Sequence, residues 1–134
     1  MTKAWLLVPL LLAGCSAGVA TEPVRNARAE TRLTQLLAGK VAVGTQSCIS
    51  QRDATRQTVI DERTILFPVS PGRVYRNEIP GGCPGLESGS TLIRRTTGPS
   101  LCSGEIFQVR EAGTGFSNGA CSFGSFNEYR RPSR

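Results

Sequence analysis

Residues 64–76 read Thr-Ile-Leu-Phe-Pro-Val-Ser-Pro-Gly-Arg-Val-Tyr-Arg, and this stretch decides the fold class. Residues 64–67 form an apolar run that predicts a short buried strand. Pro71-Gly72 predicts a type II turn, because proline suits its first central position and glycine tolerates the positive φ of the second. Residues 73–76 predict the partner strand. The stretch therefore indicates an antiparallel β-hairpin.

Further short strand patterns, separated by turn residues, lie on both sides of this hairpin. Asn118-Gly119 predicts a tight turn between two of the later strands. Several short strands with such spacing predict a mainly β fold, a small antiparallel β-barrel or sandwich with one N-terminal helix and two disulfides. The other predicted strands are residues 41–43, residues 46–51 after a break at Gly44, and residues 56–60, 91–94 and 106–110.

The N-terminal helix is predicted over residues 24–38. Leucines recur at the i, i+3, i+4 spacing of one helix face, and Gly39 suits the position that ends a helix. Arginines occupy another face. The apolar face consists of Leu33, Leu36 and Leu37, and the basic face of Arg25, Arg28 and Arg32.

Two arrangements of this amphipathic helix fit the pattern. In the first, the helix lies on anionic lipid headgroups, with its leucines in the bilayer and its arginines on the phosphates. In the second, the leucines pack onto the following domain and the arginines face water. The first arrangement makes the three arginines candidate headgroup contacts.

The N-terminus has the layout of a bacterial lipoprotein signal. Lys3 supplies the positive region and residues 4–12 the apolar region. Leu12-Ala13-Gly14-Cys15 matches a lipobox, in which the cysteine is lipidated and becomes the first mature residue. The apolar run is shorter than the ~20 residues of a membrane-spanning helix. We therefore predict a signal peptide over residues 1–14 and a lipidated tether over residues 15–23.

This signal predicts a cell-envelope location, anchored in the membrane by the lipid on Cys15. By analogy with bacterial lipoproteins, Ser16 after the cysteine favours the outer membrane, with the domain facing the periplasm. Removal of residues 1–14 leaves 120 residues and a net charge of +5. We expect no nucleic-acid partner outside the cytoplasm. The mature chain divides into the tether, the helix, a β domain over residues 39–129 and a basic tail over residues 130–134.

Four cysteines remain in the β domain, and beyond the inner membrane they are expected to form disulfides. A zinc site is not expected, because the gaps of 35, 19 and 19 residues lack the close Cys-x-x-Cys pairs of such sites and the chain has no histidine. Four cysteines allow three pairings, which sequence alone leaves open. The preferred one joins Cys48 to Cys121, linking the opening and closing strands, and Cys83 to Cys102.

A resemblance accompanies these features. The framework of cysteines, glycines and strand motifs over residues 39–127 resembles a family of small uncharacterised bacterial lipoproteins with a four-cysteine β domain. The resemblance implies one disulfide-bearing β domain behind a lipid anchor, and it implies no activity, cofactor or catalytic residue. The matching motifs are Gly39-Lys40, Cys48-Ile49, Val59-Ile60-Asp61, residues 64–67, residues 74–77, residues 83–86, residues 101–105 and residues 121–124.

Catalysis is disfavoured by residue type. Without histidine the chain has no Ser-His-Asp triad and no histidine general base. Lys40 is the one mature lysine and lies just beyond the predicted helix. The glycine-rich segments lack the lysine and the strand-to-helix context of a phosphate loop. We predict no enzyme activity, no cofactor and no metal.

Two functions remain as hypotheses. The first is a structural or binding module of the envelope, whose partner is an envelope protein or an anionic headgroup. Its candidate contact surface is residues 77–86, a Pro/Gly-rich loop that a disulfide would preorganise. The alternative is a periplasmic inhibitor of a foreign hydrolase, a lysozyme or a protease, by analogy with other small disulfide-bearing β domains.

Overall fold

The computed structural model describes residues 25–95 and 97–134. Over these residues the chain forms one helix, α1 (Ala27–Leu37), and ten strands. The predicted signal peptide, Cys15 and the tether lie outside the described residues. The strands are β1 (Val41–Gln46), β2 (Cys48–Ser50), β3 (Thr58–Val59), β4 (Thr64–Ser70), β5 (Arg73–Glu78), β6 (Thr91–Arg94), β7 (Ser100–Cys102), β8 (Ile106–Arg110), β9 (Ser117–Ser122) and β10 (Phe126–Arg130).

The strands form three antiparallel sheets around a shared core. The first sheet has the order β1-β10-β5-β4-β3, the second is β2-β7 and the third is β6-β8-β9. The sheets are arranged as in a sandwich and do not close into a barrel over the described residues. The prediction of a mainly β fold with one N-terminal helix and two disulfides is confirmed, and of the two predicted architectures the structure has the sandwich.

The hairpin predicted from residues 64–76 is present as β4 and β5, but its turn differs from the prediction. Gly72 is not among the glycines with positive φ, so the type II turn is wrong. The register shifts between Pro68 and Ser70, and Ser70 then pairs with Arg73. A bulge adds local twist, which lets the hairpin close without a left-handed residue at the turn.

The tight turn predicted at Asn118-Gly119 is also wrong. Both residues lie inside β9, opposite Val109, where the register between β8 and β9 shifts. Gly119 has a φ of +107°, a conformation that suits a bulge in a strand. The chain reverses earlier, where the amide of Glu111 donates to the carbonyl of Phe116 at 3.0 Å. Asn118-Gly119 therefore forms a bulge within one strand and does not connect two strands.

Two other strand boundaries differ from the sequence prediction. The break expected at Gly44 is a register shift inside β1, which continues to Gln46. The strand β7 (Ser100–Cys102) was not predicted, because three residues are too few for a periodic pattern. Its pairing with β2 depends on residues about fifty positions away, where Ile49 lies opposite Leu101.

The main core lies between the five-stranded sheet and the two smaller sheets, around four phenylalanines. Phe67 and Phe126 come from the large sheet, Phe107 from β8 and Phe123 from the connection between β9 and β10. Ring centroids are 5.7 Å apart for Phe67 and Phe126, and 4.4 Å apart for Phe107 and Phe123. The rings thus join two sheets through one aromatic cluster. The other buried members are Ile49, Ala54, Val59, Ile65, Tyr75, Ile79, Cys83, Leu86, Leu92, Leu101 and Val109.

One polar side chain within this core fixes the connection that carries Phe123. Asn77 is fully buried, and its amide nitrogen donates to the carbonyl of Gly124 at 2.7 Å. The amide nitrogen of Gly124 donates back to the side-chain oxygen of Asn77 at 3.0 Å. Buried polar groups are tolerated when they are hydrogen-bonded. Asn77 therefore pairs with the backbone of Gly124 as a neighbouring strand would.

The helix α1 covers the opposite face of the five-stranded sheet. Leu33 is 4 % exposed, Leu37 is partly buried, and Leu36 is 38 % exposed. Burying a leucine removes its apolar surface from water, worth about 2 kcal/mol. The structure therefore has the second predicted arrangement for Leu33 and Leu37, which pack onto the domain. This second cluster contains Ala29, Leu33, Ile60, Leu66 and Val74, with Leu37 and Tyr129 packed against it.

The ends of α1 are set by local hydrogen bonds. Asn26 caps the first turn, because its side-chain oxygen accepts from the amide of Ala29 at 2.8 Å. The helix therefore begins at Ala27, later than the predicted residue 24. Gly39 follows the last turn with a φ of +71°, which confirms its predicted place at the helix end.

Both disulfides are present, but the preferred pairing is wrong. Cys48 is bonded to Cys102, and Cys83 to Cys121. The opening strand β1 does pair with the closing strand β10. Cys48, however, lies in the next strand, β2, which leaves that sheet and places it directly opposite Cys102. Cys121 on β9 is then left to bind Cys83.

An ion-pair cluster lies on the core-facing side of β5 and β10. The carboxylate of Glu128 accepts from Nε of Arg73 and from Nε of Arg130, each at 2.5 Å. Burial of the Glu128 carboxyl opposes ionisation, but the two hydrogen bonds together with the charges of the two arginines outweigh it and lower its pKa. The same hydrogen bond from Arg73 raises the pKa of the arginine. Arg130 was predicted to belong to a basic tail, but it is the last residue of β10.

Gly124→Ala is expected to destabilise the domain by about 3 kcal/mol. A Cβ at this position would lie 2.0 Å from the carbonyl oxygen of Glu78, a backbone atom that cannot turn away. Gly98→Ala is the control, because a Cβ there meets nothing within 4 Å. Urea unfolding curves measure both variants. Equal midpoints for the two variants would contradict the close approach of the chains.

Glu128→Gln is expected to reduce the free energy of unfolding at neutral pH by about 1 kcal/mol. Because the native pKa of Glu128 lies below its unfolded value, its contribution is full above the unfolded pKa and is lost as pH falls through the native pKa. The variant should therefore lose less stability than the parent between about pH 5 and pH 3. Unfolding curves across this range measure it. The exposed Glu87→Gln serves as control, and parallel losses in parent and Glu128→Gln would refute the role of the cluster.

Candidate functional site

A groove of about 750 Å³ lies between α1 and two loops of the β domain. One wall is formed by Arg25, which lies just before α1, and by the face of α1 that carries Arg28 and Arg32. These three residues are called the arginine row. The other wall consists of residues 60–63, between β3 and β4, and residues 85–88, before β6. The three arginines predicted from the sequence are thus brought together along one groove.

Arg25 closes the groove at the start of the helix. Its Nε donates to Oδ2 of Asp61 and its Nη2 to the hydroxyl of the fully buried Thr64. The hydroxyl of Thr64 donates onward to Glu78 at 2.9 Å. The Arg25 side chain is 16 % exposed. It therefore serves the structure, fastening the helix start to the sheet through a fork of two donors.

Asp61 is held in place for this contact by its own backbone turn. Its Oδ1 accepts from the amides of Arg63 and Thr64, each at 2.9 Å. An aspartate that bonds the amides two and three residues later forms an Asx turn. The turn after β3 is thereby shaped so that Oδ2 points to Arg25.

Arg28 and Arg32 lie further along the same helix face. Arg32 is half-buried, and its Nη1 donates to the hydroxyl of Ser88 and, at 3.5 Å, to the carbonyl of Val59. Arg28 is exposed, and neither a hydrogen bond nor an ion pair ties it to any other described residue. The row therefore has two engaged arginines and, between them, one guanidinium available to a ligand.

The far wall adds charges of both signs. Glu62 Oε1 accepts from the amide of Gly85 at 3.3 Å, which ties the two loops together. Arg63 and Glu87 also line the groove. Four arginines and three carboxylates, Asp61, Glu62 and Glu87, line the groove, and Glu30 and Glu78 lie 3.8 and 3.9 Å from Arg25. The arrangement suits a ligand with a single anionic group more than a densely charged polymer.

Sequence reasoning missed the far wall of this groove. Arg63, Glu62 and Ser88 lie in turns whose composition is typical of any solvated loop. Residues 60–63 and residues 85–88 are brought together by the fold, as the hydrogen bond from Cys83 N to the carbonyl of Glu62 at 2.7 Å illustrates. No local sequence pattern predicts a contact between these two loops.

The loop predicted as a contact surface, residues 77–86, is only partly available. Ile79, Cys83 and Leu86 are at most 3 % exposed and belong to the main core. Pro80 and Pro84 are exposed. The loop therefore packs its apolar side chains inward and does not project from the domain.

The described part of the chain contains neither a cluster of metal-ligating side chains nor a membrane-spanning helix. Over residues 25–95 and 97–134, no three side chains of the metal-ligating types gather at one place. Within the same part of the chain, no helix has the length and apolarity needed to cross a membrane.

Comparison with protein-family models, with curated proteins and with solved structures finds no match to this chain.

Arg25→Ala is expected to lower the free energy of unfolding by about 2 kcal/mol, since it leaves the buried Thr64 and Asp61 without their shared donor. Arg25→Lys should recover little of this loss, because one ammonium cannot reproduce the fork. Arg28→Ala, in the same arginine row but exposed, is the matched control and should change stability by less than about 0.5 kcal/mol. Urea unfolding tests the three variants. Equal effects of Arg25→Ala and Arg28→Ala would contradict the structural role of Arg25.

Proposed function

We propose that this chain is a lipid-anchored, non-catalytic binding module of the cell envelope, and that its groove takes an anionic lipid headgroup. The observation that carries the proposal is the position of Arg28, an exposed guanidinium between two fixed arginines on a helix packed against the sheet. A guanidinium matches phosphate and carboxylate oxygens through paired donors. Its neighbour Arg32 and the hydroxyl of Ser88 supply further donors at the same place.

The sequence of the N-terminus supports this assignment. The lipobox Leu12-Ala13-Gly14-Cys15 predicts a lipid on Cys15, and ten positions separate that residue from Arg25. A fully extended chain of this length spans at most about 35 Å. The groove is therefore kept within reach of the membrane surface, where a headgroup is at high local concentration. An outer-membrane anchor facing the periplasm is the arrangement that we propose.

The absence of histidine supports a non-catalytic role, as argued from the sequence. Among the described residues of the groove, no hydrogen bond joins the hydroxyl of Ser88 to a carboxylate that could act as its base. The hydroxyl of Ser88 accepts from Arg32, a group that cannot act as a base. Binding is thus the chemistry that this surface offers.

The proposal is tested with vesicles and residues 16–134, a fragment that keeps all described residues and both disulfides but lacks the lipid. It should sediment with vesicles containing phosphatidylglycerol at low salt and not with pure phosphatidylcholine. Arg28→Ala should weaken this binding about fivefold and Arg28→Glu about 25-fold, at about 1 kcal/mol per charge near the surface. Added glycerol phosphate should compete if the phosphate group is what the groove recognises.

Arg110→Ala is the matched control, because Arg110 is exposed on β8 and its removal changes the net charge equally. It should weaken binding less than twofold, since it lies on the three-stranded sheet and outside the groove. Equal losses for Arg28→Ala and Arg110→Ala would mean diffuse attraction between a basic protein and an anionic surface. That result, or an absence of vesicle binding, would contradict the proposal.

A further inference from the structure

The two disulfides of this domain differ in their access to solvent. On the sheet β2-β7, Ile49 and Leu101 lie opposite each other and are 3 % and 0 % exposed. Successive side chains of a strand point to opposite faces. Cys48 and Cys102, one position away, therefore lie on the outer face, where Cys48 is exposed and Cys102 half-buried. In the second disulfide, Cys83 is 0 % exposed and part of the main core, and Cys121 is half-buried and packs against that core.

We propose that Cys48–Cys102 is a thiol-exchange site of the folded protein, whose covalent ligand is a small thiol of the glutathione type. Exchange requires a thiolate to reach one of the two sulfurs from outside. Cys48 is the accessible end of the outer disulfide. The disulfide Cys83–Cys121 is harder to reach, because Cys83 is fully buried and Cys121 is only half-exposed against the core. This inference does not depend on the proposed groove.

The exchange balances without any further reactant. The thiolate sulfur attacks Sγ of Cys48 and forms a mixed disulfide, while the Cys48–Cys102 bond breaks. The electron pair of that bond leaves on Sγ of Cys102, which takes a proton from water. A second thiolate can then attack the sulfur of the bound thiol, releasing the thiolate of Cys48 and a free disulfide. The two small thiols are oxidised, and the protein disulfide is reduced by two electrons.

The surroundings of the pair allow this exchange within the folded domain. Ile49 and Leu101 keep β2 and β7 in the core independently of the disulfide. Hydrogen bonds flank the pair on both sides, from Ser103 N to the carbonyl of Ser47 at 2.7 Å and from Gln51 N to the carbonyl of Pro99 at 2.8 Å. The two strands therefore stay paired when the bond opens, and Cys102 remains beside Cys48 to close it again.

The experiment uses the oxidised full chain and reduced glutathione in native buffer, followed by acid quench, alkylation of free thiols and peptide mass mapping. We expect glutathione on Cys48 and alkylation of Cys102 at a rate at least about tenfold above any labelling of Cys83 or Cys121, because Cys48 is exposed in the folded domain whereas neither Cys83 nor Cys121 is. Circular dichroism should remain native during this first phase. Equal rates at the two disulfides, or labelling only after loss of structure, would overturn the proposal.

Two substitutions of opposite charge at one position on the same face test the direction from which the thiolate attacks. Ser100 lies two positions before Cys102 on β7, so its side chain points to the same face. Ser100→Lys should speed exchange with the anionic glutathione thiolate severalfold, and Ser100→Glu should slow it by a similar factor. The uncharged 2-mercaptoethanol is the control and should exchange at nearly the same rate with both variants. Rates with glutathione that do not differ between Ser100→Lys and Ser100→Glu would contradict attack from this face.

Discussion

The two adjacent strands β4 and β5 are apolar on both of their faces, and the rest of the structure follows from this constraint. Ile65, Phe67 and Tyr75 point into the main core, whereas Leu66 and Val74 point to the opposite side. A sheet that is apolar on both faces must be covered on both. The two smaller sheets cover one face through the phenylalanine cluster, and α1 covers the other. The position of the arginine row follows, because a helix that buries Leu33 against Leu66 must turn its other face toward the neighbouring loops.

The free energies of apolar burial and of headgroup contact favour this docked helix over one that lies on a membrane. Moving α1 to a bilayer would keep its own leucines out of water but would expose Ile60, Leu66 and Val74 on the sheet. Burial of each such side chain is worth about 2 kcal/mol, about 6 kcal/mol for the three. A headgroup contact is worth about 1 kcal/mol for each arginine, so three contacts offset about half of that cost. Recognition of a headgroup by a docked helix avoids the loss, which is why the proposed function assigns binding to the groove.

The parts of the fold that were predictable are those that local chemistry determines. The hairpin at residues 64–76 was visible because an apolar run, a proline-glycine pair and the strand-like segment Arg-Val-Tyr-Arg lie next to one another. The helix was visible from its leucine spacing, and Gly39 marked its end.

The partner of Cys48 was not predictable, because it depends on β2 leaving the sheet that β1 joins, and β7 is too short to leave a pattern. The groove was half predictable: the sequence supplied its arginine wall, and only the tertiary fold brings residues 60–63 and residues 85–88 to face it. Local composition also misled at Gly72 and at Asn118-Gly119, since a glycine that permits a turn equally permits a bulge.

The central claim is that α1 is docked on the sheet and thereby holds its arginines over the groove. The most direct test is a methyl-labelled NMR sample of residues 16–134 in the presence of anionic vesicles or micelles. The account predicts nuclear Overhauser contacts between the methyl groups of Leu33 and those of Ile60, Leu66 and Val74, unchanged when the lipid is added. A helical α1 whose Leu33 methyls lack these contacts, or transfer them to lipid acyl chains, would contradict it.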